Sequence, residues 1–167
     1  MIKIIGAKGN IQNVDSLLEK ILSFSEKQGI VVQVFNADMI YGKNHIISAV
    51  EHAVRAIEGK TNTTNSLSME IMLYASGERQ LKLAIPKMGV KKGKGNIAFV
   101  FTNGKISDKT VDDLLKELAL KRDDKILEGD KDTLKKFGLK DNEIETVTKA
   151  KYGDLILEKV ALVDIIK

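Results

Sequence analysis

The chain has 167 residues, 43% of them apolar and 30% charged, which is the balance of a globular protein and excludes a fibrous or disordered one. That length suits one domain with a proper core, and no apolar run approaches the roughly 18 residues of a membrane span. Cysteine is absent, so disulfides, thiolate nucleophiles and cysteine-bound zinc are excluded, and the net charge is a modest +4.

Met1-Ile2-Lys3-Ile4-Ile5 runs straight into Gly6, which is not a signal-peptide pattern, so a soluble cytoplasmic protein is expected. Ile2 to Ile5 reads as a short strand. Asn13 or Asp15 then caps a helix with Val14, Leu17, Leu18, Ile21 and Leu22 at helical spacing, closed by Gly29. The β-branched run Ile30 to Phe35 reads as a buried strand, and Asn36 to Gly42 as a connector. From Lys43 to Glu58 the apolar positions Ile46, Ala49, Val50, Ala53, Val54 and Ile57 recur at three and four residues, a helix ended by Gly59. Its alanines at 49, 53 and 56 allow another element to approach closely.

Lys60 to Asn65 is a polar loop, followed by helices near 66–75 and 78–88. Pro86, the only proline, should kink the second helix or end it nearby. Val90 to Asn96 reads as a Gly and Lys loop, Ile97 to Phe101 as a buried strand, and Asp108 to Leu120 as a helix with Val111, Leu114, Leu115 and Leu118 inward. Ile126-Leu127 suits a brief strand, and Lys131 to Phe137 and Asp141 to Lys149 two short helices. After Gly153 a helical turn should give way to a last strand, Val160 to Ile166. The sum is a single domain over 1–167 of α/β (or α+β) class. A small mixed sheet of four or five strands, with both terminal strands buried in it, is covered by six or seven helices.

Neither glycine-rich stretch is a nucleotide loop: Gly6 to Gly9 lacks the G-x-G-x-x-G spacing, and Gly89 to Gly95 has no Ser or Thr after Lys94. No G-x-S-x-G elbow occurs, and Asp112, Asp113 and Glu117 fall on a polar helix face that suits solvent. His45 and His52 would stand about 10 Å apart along a helix, too far to share a metal ion. No metal site and no cofactor are expected, and nothing calls for an enzyme.

Charge is more informative. Arg79, Lys82, Lys87, Lys91, Lys92 and Lys94 fall between Arg79 and Gly95 with no acid among them, which leaves the rest of the chain at −2. Lysines often fill solvated turns, but a localised +6 also suits an anionic partner such as a phosphate backbone. Arg79 stands near a helix start, against the dipole preference. It either pairs with Glu78 or Glu70 or offers its fork to a phosphate or a base. Tyr41 and Tyr74 are core rings or platforms for unpaired bases.

Three blocks resemble the small kinase-binding subunit of the KEOPS complex, the archaeal counterpart of human TPRKB. They are Asp38-Met39-Ile40-Tyr41-Gly42 through His45, Ala49, Ala53, Arg55 and Ala56; Asn65 to Gly89 with Ala75-Ser76-Gly77-Glu78-Arg79-Gln80; and Glu158-Lys159-Val160-Ala161-Leu162-Val163. The likeness extends over essentially the whole chain, with Pro86 and the lysine-dense 91–94 as departures. It implies a non-catalytic subunit that binds the KEOPS kinase/ATPase and helps present tRNA, held at its CCA end, for threonylcarbamoylation of the adenosine beside the anticodon. By that likeness Arg79, Gln80, Lys60, Lys82, Lys91, Lys92 and Lys94 are the expected tRNA contacts, and Leu155 and Ile156 the kinase face. A stand-alone single-stranded RNA-binding domain and a small α/β enzyme with an unrecognised site are the alternatives.

Overall fold

Strand β1 (Ile2–Ile11) runs well beyond the apolar stretch that ends at Ile5. Gly6 and Gly9 mask its alternation because both sit where another segment crosses closely. A Cβ on Gly6 would stand 2.5 Å from the Asp123 carbonyl oxygen, and one on Gly9 2.6 Å from the Leu120 side chain. In the computed structural model, which describes residues 1–167, β1 joins β2 (Val31–Asn36), β3 (Gly93–Thr102) and β4 (Lys121–Arg122). Every pairing in this four-stranded sheet, of order β2-β3-β1-β4, is antiparallel.

The helices are α1 (Val14–Gln28), α2 (Gly42–Glu58), α3 (Leu67–Ser76), α4 (Leu81–Met88), α5 (Asp108–Glu117), α6 (Lys131–Phe137), α7 (Asp141–Ile144) and α8 (Tyr152–Ile166). Alternate strand residues feed two cores, one on each face of the sheet. Ile5, Val34, Phe99 and Phe101 meet α1 and α5, whereas Ile4, Phe35, Ala98 and Val100 meet α2, α3 and α8. The buried alanines Ala49, Ala53 and Ala56 let α2 nest among its neighbours, as their spacing suggests.

Helix α8 replaces the strand expected at Val160 to Ile166. Its β-branched residues favour a strand locally, but Ile156, Val160 and Val163, at i, i+4 and i+7, are fully buried on one side. Tertiary packing decides the outcome. Ile126-Leu127, also expected as strand, belongs to a 3-10 turn over Asp124–Leu127 that lies across Gly6. The lysine loop is shorter than the sequence suggests, since β3 begins at Gly93 and carries Lys94. Pro86 sits in the last turn of α4, where it removes the N–H that would bond the Lys82 carbonyl, and the helix ends two residues later at Met88. No helix is long and apolar enough to cross a membrane.

Candidate functional site

Gly77, at φ +70°, closes α3 in the left-handed region that glycine tolerates. The chain turns there so that residues 79–82 face residues 63–66 and Met69 across an open cleft of about 590 Å3. Arg79, Gln80 and Lys82, three of the expected tRNA contacts, thus share one cleft. Lys60, Lys91, Lys92 and Lys94 lie outside its lining, all exposed. Lys60 occupies the turn after α2 at φ 58°, Lys91 donates to the Pro86 carbonyl at 2.7 Å, and Lys94 projects from β3.

Arg79 makes no ion pair, because both candidate acids are taken. Glu78 lies 3.4 Å from Lys87, and Glu70 lies 2.8 Å from Lys167. Gln80 caps α4 without a side-chain hydrogen bond, and the backbone N–H groups of Leu81 and Lys82 find no protein acceptor. A free guanidinium, a free ammonium and an uncapped helix N-terminus therefore converge at one end of the cleft, an arrangement suited to an anion. Lys87 drops out of the basic segment. Its ammonium donates to the Ser76 carbonyl at 2.8 Å and stands 3.8 Å from the Phe137 ring centroid, and burial followed by the nearby Lys159 charge pulls its pKa down against the Glu78 partner.

Of the opposite wall, Thr63 to Asn65 reads in the sequence as the end of a polar loop and Ser66 as the start of the next helix. Ser66 caps α3 by accepting from the Met69 N–H at 3.2 Å, and Asn62 donates to the Thr64 carbonyl at 2.8 Å. Glu70, fully buried on α3, accepts from the N–H groups of Thr63 and Thr64 and from the Thr64 hydroxyl. Burial pushes its carboxyl up, but the Lys167 ammonium and the threonine donors outweigh that and hold it below the usual range. The signal for it in the sequence is one acid between Met69 and the apolar run Ile71 to Ala75.

Residues 9–164 match the family described as kinase binding protein CGI-121. The chain belongs to that family. The regulatory protein Cgi121 of Methanocaldococcus jannaschii is 29% identical over 143 residues, covering 83% of this chain and 87% of that one. The resemblance drawn from the three sequence blocks is thereby upheld, and the CGI-121 match takes in the whole cleft and α8 up to Asp164.

Within this CGI-121 chain, α8 presents two unlike sides. Ile156 is fully buried in the core, so its side chain offers no surface, and Leu155 is half-buried. Leu162, Ile165 and Ile166 are exposed, and Ile165, at 78%, is the most exposed large apolar residue of the protein. Both tyrosines serve packing. Tyr74 is buried, stacks on His52 at 5.4 Å between centroids and donates its hydroxyl to Asp164. Tyr41 packs its ring so tightly on Gly129 that a Cβ there would come within 2.3 Å. His45 accepts the Tyr41 N–H on Nδ1 at 3.1 Å, which leaves Nε2 to donate to the Ala75 carbonyl at 2.8 Å and tie α2 to α3. Burial drives its pKa down to about 4, with the Lys87 charge adding to the fall.

Proposed function

We propose that this protein is a non-catalytic adaptor of a KEOPS-type assembly. It binds the kinase/ATPase through α8 and holds tRNA, by its CCA end, in the cleft between residues 63–66 and 79–82. Threonylcarbamoylation of the adenosine beside the anticodon would then be the work of its partners. The observation that carries the tRNA half is the unpaired Arg79, set beside Lys82 and the free N–H groups of α4 and facing a wall of hydroxyl and amide side chains. That set matches an internucleotide phosphate and an unpaired base better than any reaction. Lys60, Lys91, Lys92 and Lys94, exposed outside the cleft, would track the backbone that leads away from it.

The kinase half draws on the family description and on α8. Besides the core side of α8, apolar residues also stand on its outer side among the charged Asp154, Glu158 and Asp164, where no part of this chain covers them and a partner could. Leu155, Leu162, Ile165 and Ile166 form the proposed face, without the buried Ile156.

Titration of intact and CCA-truncated tRNA transcripts tests the cleft. Truncation should weaken binding about tenfold, the worth of one or two charge-assisted hydrogen bonds, and Arg79→Ala should bring the intact transcript to the same level. The logarithmic salt slope should be near −3 if about four single-strand phosphates are neutralised. Equal affinity for both transcripts would remove the end-holding role.

A further inference from the structure

The Glu70–Lys167 pair lies behind the cleft wall, and stability alone does not account for it. Glu70 is fully buried and the Lys167 side chain is 6% exposed, so both charges are taken out of water at a cost of several kcal/mol each. A well-packed apolar pair would serve the α3–α8 contact as well or better. What an apolar pair could not do is accept hydrogen bonds from the loop. Oε1 of Glu70 takes the Thr63 N–H at 3.2 Å, and Oε2 takes the Thr64 N–H at 3.0 Å and the Thr64 hydroxyl at 2.7 Å. Thr64 is the only buried residue from Lys60 to Ser66, so the loop has almost no apolar anchor and depends on these bonds for its shape.

Lys167 keeps the carboxylate in this role. Its ammonium sits 2.8 Å from Oε1 and 4.5 Å from the Tyr74 ring centroid, and Tyr74 is in turn bonded to Asp164 one turn earlier on α8. We propose that Glu70 is a positioning residue for the nucleic-acid cleft. Lys167 sustains it, so the end of α8 sets the wall against which the RNA end rests. This rests on the cleft being the tRNA site. Glu70 touches no RNA; it acts through the backbone of Thr63 and Thr64, which face Arg79 and Lys82 across the cleft.

The test uses the full chain and an intact tRNA transcript, with urea unfolding run in parallel to fix the folded fraction. Lys167→Met strands a buried carboxylate and should weaken binding about tenfold, the equivalent of one charged hydrogen bond. Adding Glu70→Gln removes the stranded charge, and its one amide oxygen still accepts from the Thr64 N–H and hydroxyl while the Thr63 N–H loses its acceptor, so the double variant should bind more tightly than Lys167→Met alone, to within about fivefold of the unaltered protein. In an Arg79→Ala background Lys167→Met should cost less than about twofold, since both changes act on one contact. Thr64→Val, which deletes the hydroxyl shared between Glu70 and the Ser66 carbonyl but keeps both loop N–H bonds to Glu70, should cost about threefold and serves if Lys167→Met fails to fold.

A role confined to stability predicts unchanged affinity once the folded fraction is allowed for, and that result would overturn the proposal. An undiminished Lys167→Met effect in the Arg79→Ala background would do the same. If Arg79→Ala alone leaves affinity unaltered, the cleft is not the tRNA site and the positioning role falls with it.

Discussion

Ile165→Asp should weaken binding of the KEOPS-type kinase by about 100-fold while leaving the fold intact. Ile165 is 78% exposed on α8, so the free protein loses no packing when it is replaced. In the complex the new carboxylate would sit among Leu162 and Ile166 and the partner's apolar surface, without a cation. Central contacts of an interface are commonly worth about 2–4 kcal/mol, and a stranded charge adds its own desolvation cost. Leu22→Asp is the matched control. Leu22 is 59% exposed on α1, across the sheet from α8, and its replacement should leave kinase affinity within about twofold. Calorimetric titration of the two variants checks the assignment, and the reverse pattern would move the kinase face to α1.

Acidification should destabilise the protein well before its carboxylates titrate. His45 ionises near pH 4 in the folded chain against 6.5 for a free imidazole, so the unfolded state binds its proton first. The stability conferred by neutral His45 is complete above pH 6.5 and is lost as the pH falls from 6.5 towards 4. The slope approaches about 1.4 kcal/mol per pH unit and the total is about 3 kcal/mol. The carboxyls of Asp124, Asp130 and Asp164 are held below 3.8, so they contribute at the acid end of this range and not between pH 6.5 and 5. His45→Gln offers an amide acceptor and donor for the Tyr41 N–H and the Ala75 carbonyl, and it cannot titrate. Urea unfolding from pH 7.5 to 5 should slope for the unaltered protein and run flat for the variant. A slope shared by both would place the proton elsewhere.

Elements whose local pattern and tertiary role agree were legible in the sequence. Helix α2 shows apolar spacing of three and four residues and a closing Gly59, and it stands within a residue of its expected start. β1 was legible only to Ile5, because Gly6 and Gly9 answer to Asp123 and Leu120, more than a hundred residues away. α8 was read as a strand from Val160 because its apolar residues surround the helix and erase the 3.6-residue period. The same feature is the ground for proposing α8 as the kinase face. The charge count found Arg79 and Lys82 but could not separate them from Lys87, whose carbonyl, carboxylate and ring partners are assembled only by folding. In the sequence Glu70 stands within the block Asn65 to Gly89 and as a possible partner for Arg79, since its actual partners, Thr64 and Lys167, are brought together by the loop and by α8.

An adaptor must hold both of its partners at once. The most direct measurement is a titration of fluorescent intact tRNA into the protein already saturated with its kinase, with sedimentation to establish the composition of the product. A single complex of protein, kinase and tRNA is the expected product. Displacement of the kinase by tRNA, or of tRNA by the kinase, would contradict it.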